Sequence, residues 1–64
     1  MNYGIIKKWN QQNGWGFIEG DDGNDYFLNV ANLRRGIRVR EGIKVKFDIN
    51  QGQRGDEAEN VSLV

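Results

Sequence analysis

Five short segments of alternating polar and apolar residues, separated by glycine-containing turns, constrain the fold of this 64-residue chain more than any other feature. A period of two is typical of half-buried β-strands, and no stretch keeps the i, i+3, i+4, i+7 spacing of an amphipathic helix. Nine glycines supply turn conformations, and the absence of proline leaves every strand its full set of backbone N–H donors. The predicted strands are Tyr3–Trp9, Trp15–Glu19, Asp25–Val30, Ile43–Asn50 and Ala58–Val64.

These strands predict a closed barrel. Five strands in so short a chain must close on themselves to cover their edges and enclose a core. We therefore predict an all-β fold in which residues 1–64 form one domain, a five-stranded antiparallel Greek-key barrel of the OB type. An SH3-like barrel is the structural alternative. A turn of 3₁₀ helix is expected around Ala31–Leu33, and a polar loop over Gln51–Asp56.

The missing residue types narrow the chemistry. The chain has neither cysteine nor histidine, which excludes disulfides, zinc sites of the Cys/His type and cysteine or serine–histidine catalysis. No apolar run approaches the roughly 20 residues that cross a bilayer, so we expect a cytoplasmic protein without a membrane segment. The carboxylates lie in predicted turns, so we expect neither an enzyme nor a cofactor or metal site.

Charge is balanced overall but unevenly distributed. Nine basic residues match nine acidic ones, yet positions 34–46 hold six basic residues and one acidic residue. A protein that holds duplex DNA mainly by neutralising phosphates should be basic, and this chain is not. Solvated loop charges would produce the same distribution.

Strand parity predicts that the aromatic residues of the second strand lie outside the barrel. Trp15 and Phe17 share one face, and Ile18 shares the other with Gly16. Because a barrel core requires Ile18, the two aromatic rings should point outward. Gly16 between them is expected to keep this surface low, so that a flat ligand can approach the rings.

The same reasoning applies to the third and fourth strands. Leu28 and Val30 are expected inside, which sends Phe27 outward beside Asn29. Adjacent strands then present one aromatic cluster, from which Phe17 and Phe27 should be removable without unfolding the barrel. On the fourth strand, the inward-facing residues are expected to be Val45, Phe47 and Ile49.

Nucleobases are the flat ligands that suit such a cluster. A base stacked on an aromatic ring contributes about 1–3 kcal/mol with little sequence preference, and bases are available for stacking in single strands. Lys7, Lys8 and Arg54 are expected to flank the rings and contact phosphates. Stacking needs fewer ion pairs than duplex binding, so a balanced net charge is compatible with a single-strand binder.

Two hexapeptides carry a family resemblance. Asn13-Gly14-Trp15-Gly16-Phe17-Ile18 resembles the first ribonucleoprotein motif of the cold-shock domain, Lys-Gly-Phe-Gly-Phe-Ile, and Asp25-Tyr26-Phe27-Leu28-Asn29-Val30 resembles the second, Asp-Val-Phe-Val-His-Phe. The likeness extends over the chain through Gly4–Lys7, Asp21–Gly23, Glu41–Phe47 and Asn60-Val61.

The resemblance implies an OB-type barrel that binds single-stranded RNA or DNA on its second and third strands and acts as an RNA chaperone or a stress-linked regulator of transcription or translation. We expect the protein to be a monomer. Trp15, Phe17 and Phe27 match the family's stacking positions, whereas Lys7, Asp25 and Arg54 match its polar contact positions. Asp25 is expected to accept a hydrogen bond from a base. The residues predicted to bind nucleic acid are Lys7, Lys8, Trp9, Asn13, Trp15, Phe17, Asp25, Phe27, Asn29 and Arg54.

Several positions depart from the family pattern. Lys8 stands where the family has a stacking tryptophan, Trp9 takes the following phenylalanine position, and Asn13 replaces a basic residue. Asn29 replaces a stacking histidine and Val30 a further aromatic residue. These changes predict weaker binding than in typical members, partly restored by the arginines after Leu33. They also leave open an alternative, a cold-shock fold that has become a protein-interaction module.

Overall fold

The strands follow the alternating segments of the sequence. The computed structural model describes residues 1–53 and 55–64. Its elements are β1 (Asn2–Asn10), β2 (Trp15–Gly20), β3 (Asp25–Asn29), a 3₁₀ helix (Val30–Asn32), β4 (Lys44–Gly52) and β5 (Gly55–Leu63). The sheet closes in the order β1-β2-β3-β5-β4, which confirms the predicted five-stranded all-β barrel.

One neighbouring pair of strands is parallel. β3 meets β5 in parallel at Phe27 and Glu57, whereas β1–β2, β1–β4, β2–β3 and β4–β5 are antiparallel. A closed ring with an odd number of strands cannot alternate direction all the way round, so one parallel contact is unavoidable. The predicted antiparallel arrangement therefore holds for the other four pairs.

The core fills the inside of this barrel. Val45 and Phe47 of β4 are fully buried, as are Ile18 of β2 and Leu28 of β3, which confirms their predicted inward orientation. Partly buried Trp9, Leu33, Ile37 and Ile43 pack against the core. The buried core residues are Ile6, Ile18, Tyr26, Leu28, Val39, Val45, Phe47, Ala58 and Val61.

Three local predictions are wrong. Val30 is 51% exposed because β3 ends at Asn29, whose side chain accepts a hydrogen bond from Ala31 N–H at 2.9 Å and caps the 3₁₀ helix.

Ile49 is 38% exposed, although Val45 and Phe47 on the same strand are buried. The predicted loop Gln51–Asp56 is shorter than expected, since β4 runs to Gly52 and β5 starts at Gly55. Gly52 pairs with Gly55, so these strands form a long hairpin.

A hydrogen bond between the core and the β2–β3 turn couples stability to pH. The Tyr26 hydroxyl donates to one carboxylate oxygen of Asp22, and Asn24 N–H donates to the other at 2.9 Å. The bond from Tyr26, followed by that from Asn24, lowers the pKa of Asp22 below its usual 3.8. The same bond, followed by burial, raises the pKa of Tyr26 above its usual 10.0.

Tyr26→Phe should remove a stabilisation that depends on pH at both ends of the scale. Because the pKa of Asp22 is lowered on folding, its carboxylate stabilises the fold above pH 3.8, and this stabilisation is lost as pH falls through the pKa of the folded state. Because the pKa of Tyr26 is raised on folding, its phenol stabilises the fold below pH 10.0, and this stabilisation is lost as pH rises through the pKa of the folded state. The free energy of unfolding, measured in urea, should therefore differ between wild type and Tyr26→Phe by a constant amount from about pH 5 to pH 9. This difference should become smaller at lower and at higher pH. A gap independent of pH would contradict the coupling.

Candidate functional site

Three aromatic rings lie together on the outer surface of β2 and β3. Phe17 pairs across the strands with Phe27, and the ring centroids are 5.7 Å apart at 74°. Trp15 and Phe17 lie 6.2 Å apart at 84°. Both contacts are edge-to-face, so the rings pack against each other without stacking face to face. We call Trp15, Phe17 and Phe27 the aromatic face.

The three rings are not equally accessible. Trp15 and Phe17 are half-buried, whereas Phe27 is only 9% exposed. Phe27 is not part of the core cluster. Its strand lies between β2 and β5, where Phe27 pairs with Phe17 on one side and with Glu57 on the other. Its outward orientation agrees with the sequence parity. Because the ring is almost fully covered, its removal should lower the stability of the barrel as well as remove a stacking surface.

A β-bulge in β1 turns two consecutive lysines outward. Ile6 pairs with Ile18 and Lys8 with Phe17, so Lys7 is the extra residue. Regular alternation would have sent one of these lysines towards the core, but both are exposed. The bulge thus places two positive charges along the β1 edge of the aromatic face.

Lys7 and Asp25, both predicted to contact nucleic acid, form an ion pair in the free protein. The Lys7 ammonium lies 3.1 Å from Asp25 Oδ2, and both side chains are about half exposed. An exposed pair of this kind stabilises the fold by at most about 1 kcal/mol. Its groups are therefore readily available to a base or a phosphate.

Lys8 lies over the Trp15 ring. Its ammonium nitrogen is 5.6 Å from the ring centroid, within the range of a cation–π contact. Lys8 pairs directly with Phe17 and Asn10 with Trp15, so Lys8 and Trp15 are diagonal neighbours on one face. A long side chain spans such a diagonal. Sequence parity did not predict this contact because it depends on the bulge.

The two predicted asparagines border the Trp15 end of the aromatic face. Asn29 pairs with Trp15 across the strands and also caps the 3₁₀ helix through its side-chain oxygen. Asn13 is exposed in the β1–β2 turn, where its N–H donates to Asn10 Oδ1 at 3.0 Å. Gly14 completes that turn with φ +73°, a conformation that favours glycine.

Trp9 does not join the aromatic face. It pairs with Gly16 and packs, partly buried, against the core, while its indole N–H donates to Gln11 Oε1 at 3.1 Å. A Cβ on Gly16 would lie 2.9 Å from the Trp9 ring and would overlap the Lys8 carbonyl oxygen. Gly16 is buried, so this glycine allows β1 and Trp9 to approach closely instead of lowering the outer surface as predicted.

The loop between the 3₁₀ helix and β4 carries the basic cluster across one end of the barrel. Its backbone is attached to β5 by Arg34 N–H to Val61 O and to β1 by Gly42 N–H to Ile6 O, both 2.8 Å. Val39 is buried between exposed residues, which holds the loop against the core. We call this segment the basic loop. Its four exposed arginines are Arg34, Arg35, Arg38 and Arg40.

Acidic residues lie on the opposite side of the aromatic face. Glu57 of β5 pairs with Phe27, and Glu59 pairs with Asp48 of β4. The face therefore has lysines along its β1 edge and carboxylates towards β5. In residues 1–53 and 55–64, no cluster of three acidic side chains is arranged to hold a metal ion. No helix in the same ranges is long and apolar enough to cross a membrane.

The structure brings most of the predicted site residues together. Lys7, Lys8, Trp15, Phe17 and Phe27 form one surface, Asp25 and Asn29 border it on β3, and Asn13 lies in the adjoining turn. Trp9 packs on the other side of the sheet. Arg54 lies outside the described residues.

A small closed barrel with outward-facing aromatic residues and a lysine edge is typical of a class of nucleic-acid-binding barrels. The family profile of the 'cold-shock' DNA-binding domain matches residues 2–64. Cold shock protein ScoF of Streptomyces coelicolor is 43% identical over 65 residues, covering 97% of each chain. Cold shock protein CspC of Bacillus subtilis is 41% identical over 63 residues, covering 95% of this chain and 96% of that protein.

The chain belongs to the cold-shock domain family. The major cold shock protein of Streptococcus pyogenes serotype M1 is 38% identical to it over 64 residues, covering 97% of this chain and 96% of that protein. Family and fold together make this chain a nucleic-acid-binding protein of the cold-shock class, and the protein-interaction alternative is not favoured.

Proposed function

We propose that this protein binds single-stranded RNA or DNA by stacking bases on Trp15 and Phe17, and that it acts as an RNA chaperone or regulator during stress. The observation that supports this proposal most strongly is the position of these half-buried rings on the outer face of β2, next to the outward-facing Lys7 and Lys8. Family membership further supports action in the cytoplasm. We propose that the protein acts there as a monomer.

The geometry favours single strands over duplexes. Bases in a duplex are stacked on each other and cannot reach an aromatic ring, whereas bases in a single strand can. The carboxylates towards β5 would repel phosphates, and the lysines on β1 would attract them. We therefore expect the phosphates of a bound strand to lie on the β1 side.

The exposed arginines of the basic loop are the residues that would supply the compensation predicted from the sequence. Lys8 and Asn29 replace two stacking residues of the family, which removes about 1–3 kcal/mol for each lost stack. Arginines contact phosphates and also stack on bases through their planar guanidinium groups. Binding that depends on these charges should weaken steeply as salt is added.

Titration with a short oligothymidine should quench the tryptophan fluorescence of the protein. The signal should come from Trp15, because Trp9 packs against the core. Trp9→Phe should therefore keep most of the quenching. Trp15→Phe should lose most of it while still binding, since a phenyl ring remains available for stacking.

A duplex of the same length is the matched ligand control and should bind more weakly at equal salt. Plotting the binding constant against salt gives the number of phosphate contacts, at a slope of about 0.7 per contact for a single strand. Absence of both quenching and a mobility shift at low salt would refute the proposed function. Equal affinity for duplex and single strand would refute stacking as its basis.

A further inference from the structure

The contact between Lys8 and Trp15 covers a face of the indole ring on which a base would stack. The ammonium nitrogen lies 5.6 Å from the centroid of the Trp15 ring. The neighbouring ring, Phe17, is nearly perpendicular to Trp15, at 84°, so it does not stack face to face on the indole. Lys8 is therefore the side chain that a base stacking on this face of Trp15 would meet.

The exchange of Lys8 for a base is favourable. A cation–π contact at an exposed site is weaker than a base stacked on an aromatic ring. Lys8 is exposed and long, so its ammonium can leave the ring without disturbing the backbone of β1. The phosphate that arrives with the base then offers a stronger partner for the displaced charge.

We propose that Lys8 covers Trp15 in the free protein and moves from the ring to a phosphate when a base stacks there. This inference rests on the proposed function and adds to it a residue that sets the balance between stacking and charge. Lys8 thus opposes binding through the ring and promotes it through phosphate. The two effects depend differently on salt, because salt screens the phosphate contact and leaves stacking nearly unchanged.

Lys8→Ala tests the exchange through its salt dependence. The variant loses one phosphate contact, so the slope of log K against log salt should fall by about 0.7. It also frees the ring, which improves binding about two- to fivefold at every salt concentration. Together these effects predict binding about two- to fourfold weaker than wild type near 50 mM salt and up to about threefold tighter near 500 mM.

Two matched variants serve as controls. Lys8→Arg keeps the charge and the cation–π contact, so its salt plot should run parallel to that of the wild type. Lys44→Ala removes an exposed lysine that pairs with Ile5, away from the aromatic face, and should produce no crossing of the two plots.

A measurement without nucleic acid tests the covering contact directly. In a Trp9→Phe background, Trp15 is the remaining tryptophan of the chain. Acrylamide, a neutral quencher, should then quench Trp15 more strongly in Lys8→Ala than in the Lys8 parent, because the ring is uncovered. Unchanged quenching would show that Lys8 does not cover the ring and would overturn the exchange.

The outcomes separate this inference from the function on which it rests. If the wild type binds and the Lys8→Ala plot lies below it at all salt concentrations, Lys8 is only a phosphate contact and the exchange is wrong. A wild type that fails to bind any single strand overturns the proposed function and the exchange with it. Crossing plots together with stronger acrylamide quenching support the exchange.

Discussion

Phe17→Ala should weaken the binding of a single-stranded oligonucleotide by about 5- to 150-fold while leaving the barrel folded. Phe17 lies at the centre of the aromatic face, with Trp15 at 6.2 Å and Phe27 at 5.7 Å, and outside the core cluster. Its removal therefore takes away a stacking surface without opening the core. Fluorescence titration gives the affinity, and thermal unfolding gives the stability.

Tyr3→Ala is the matched control for loss of an aromatic ring. Tyr3 is 45% exposed on β1 and pairs with Lys46 of β4, away from the aromatic face, so its removal should leave affinity unchanged. Phe27→Ala should lower both affinity and stability, because that ring is only 9% exposed. Equal affinity losses in Phe17→Ala and Tyr3→Ala would refute a specific role of the aromatic face.

Phe47→Ala should leave the protein close to its unfolding midpoint at room temperature. Phe47 is the largest of the fully buried side chains, and its ring lies 5.2 Å from that of Tyr26 inside the barrel. Truncating a buried phenylalanine costs about 3–5 kcal/mol. A domain of this size lies near the lower end of the usual 5–15 kcal/mol of stability, so little remains.

Ile49→Ala on the same strand is the control. Sequence alternation predicts the same inward face for Ile49 and Phe47, but the structure leaves Ile49 38% exposed. Its truncation should cost about 1 kcal/mol, in proportion to the smaller buried area. Urea unfolding measures both losses. Similar losses for the two variants would contradict the difference in burial between Ile49 and Phe47.

Strand parity predicted the aromatic face because it depends only on neighbouring residues. Ile18 and Leu28 had to face the core, and this sent Phe17 and Phe27 outward on adjacent strands. The same rule failed at Val30, because the capping of the 3₁₀ helix by Asn29 ended the alternation one residue earlier than predicted. Parity holds only while a strand continues, and the sequence marked strand ends less clearly than strand interiors.

The amino-acid sequence by itself determined the five strands, the closed all-β architecture and the outward position of the aromatic rings, since a period of two is a local property of each strand. The tertiary structure alone decided the bulge that turns Lys7 and Lys8 outward together, the burial of Gly16 beneath Trp9 and the parallel contact between β3 and β5. The first two features depend on the register in which β1 pairs with β2, and the third on the closure of an odd number of strands into a ring. Lys8 reaches Trp15 only because of that alignment, and no spacing within β1 alone could have predicted it.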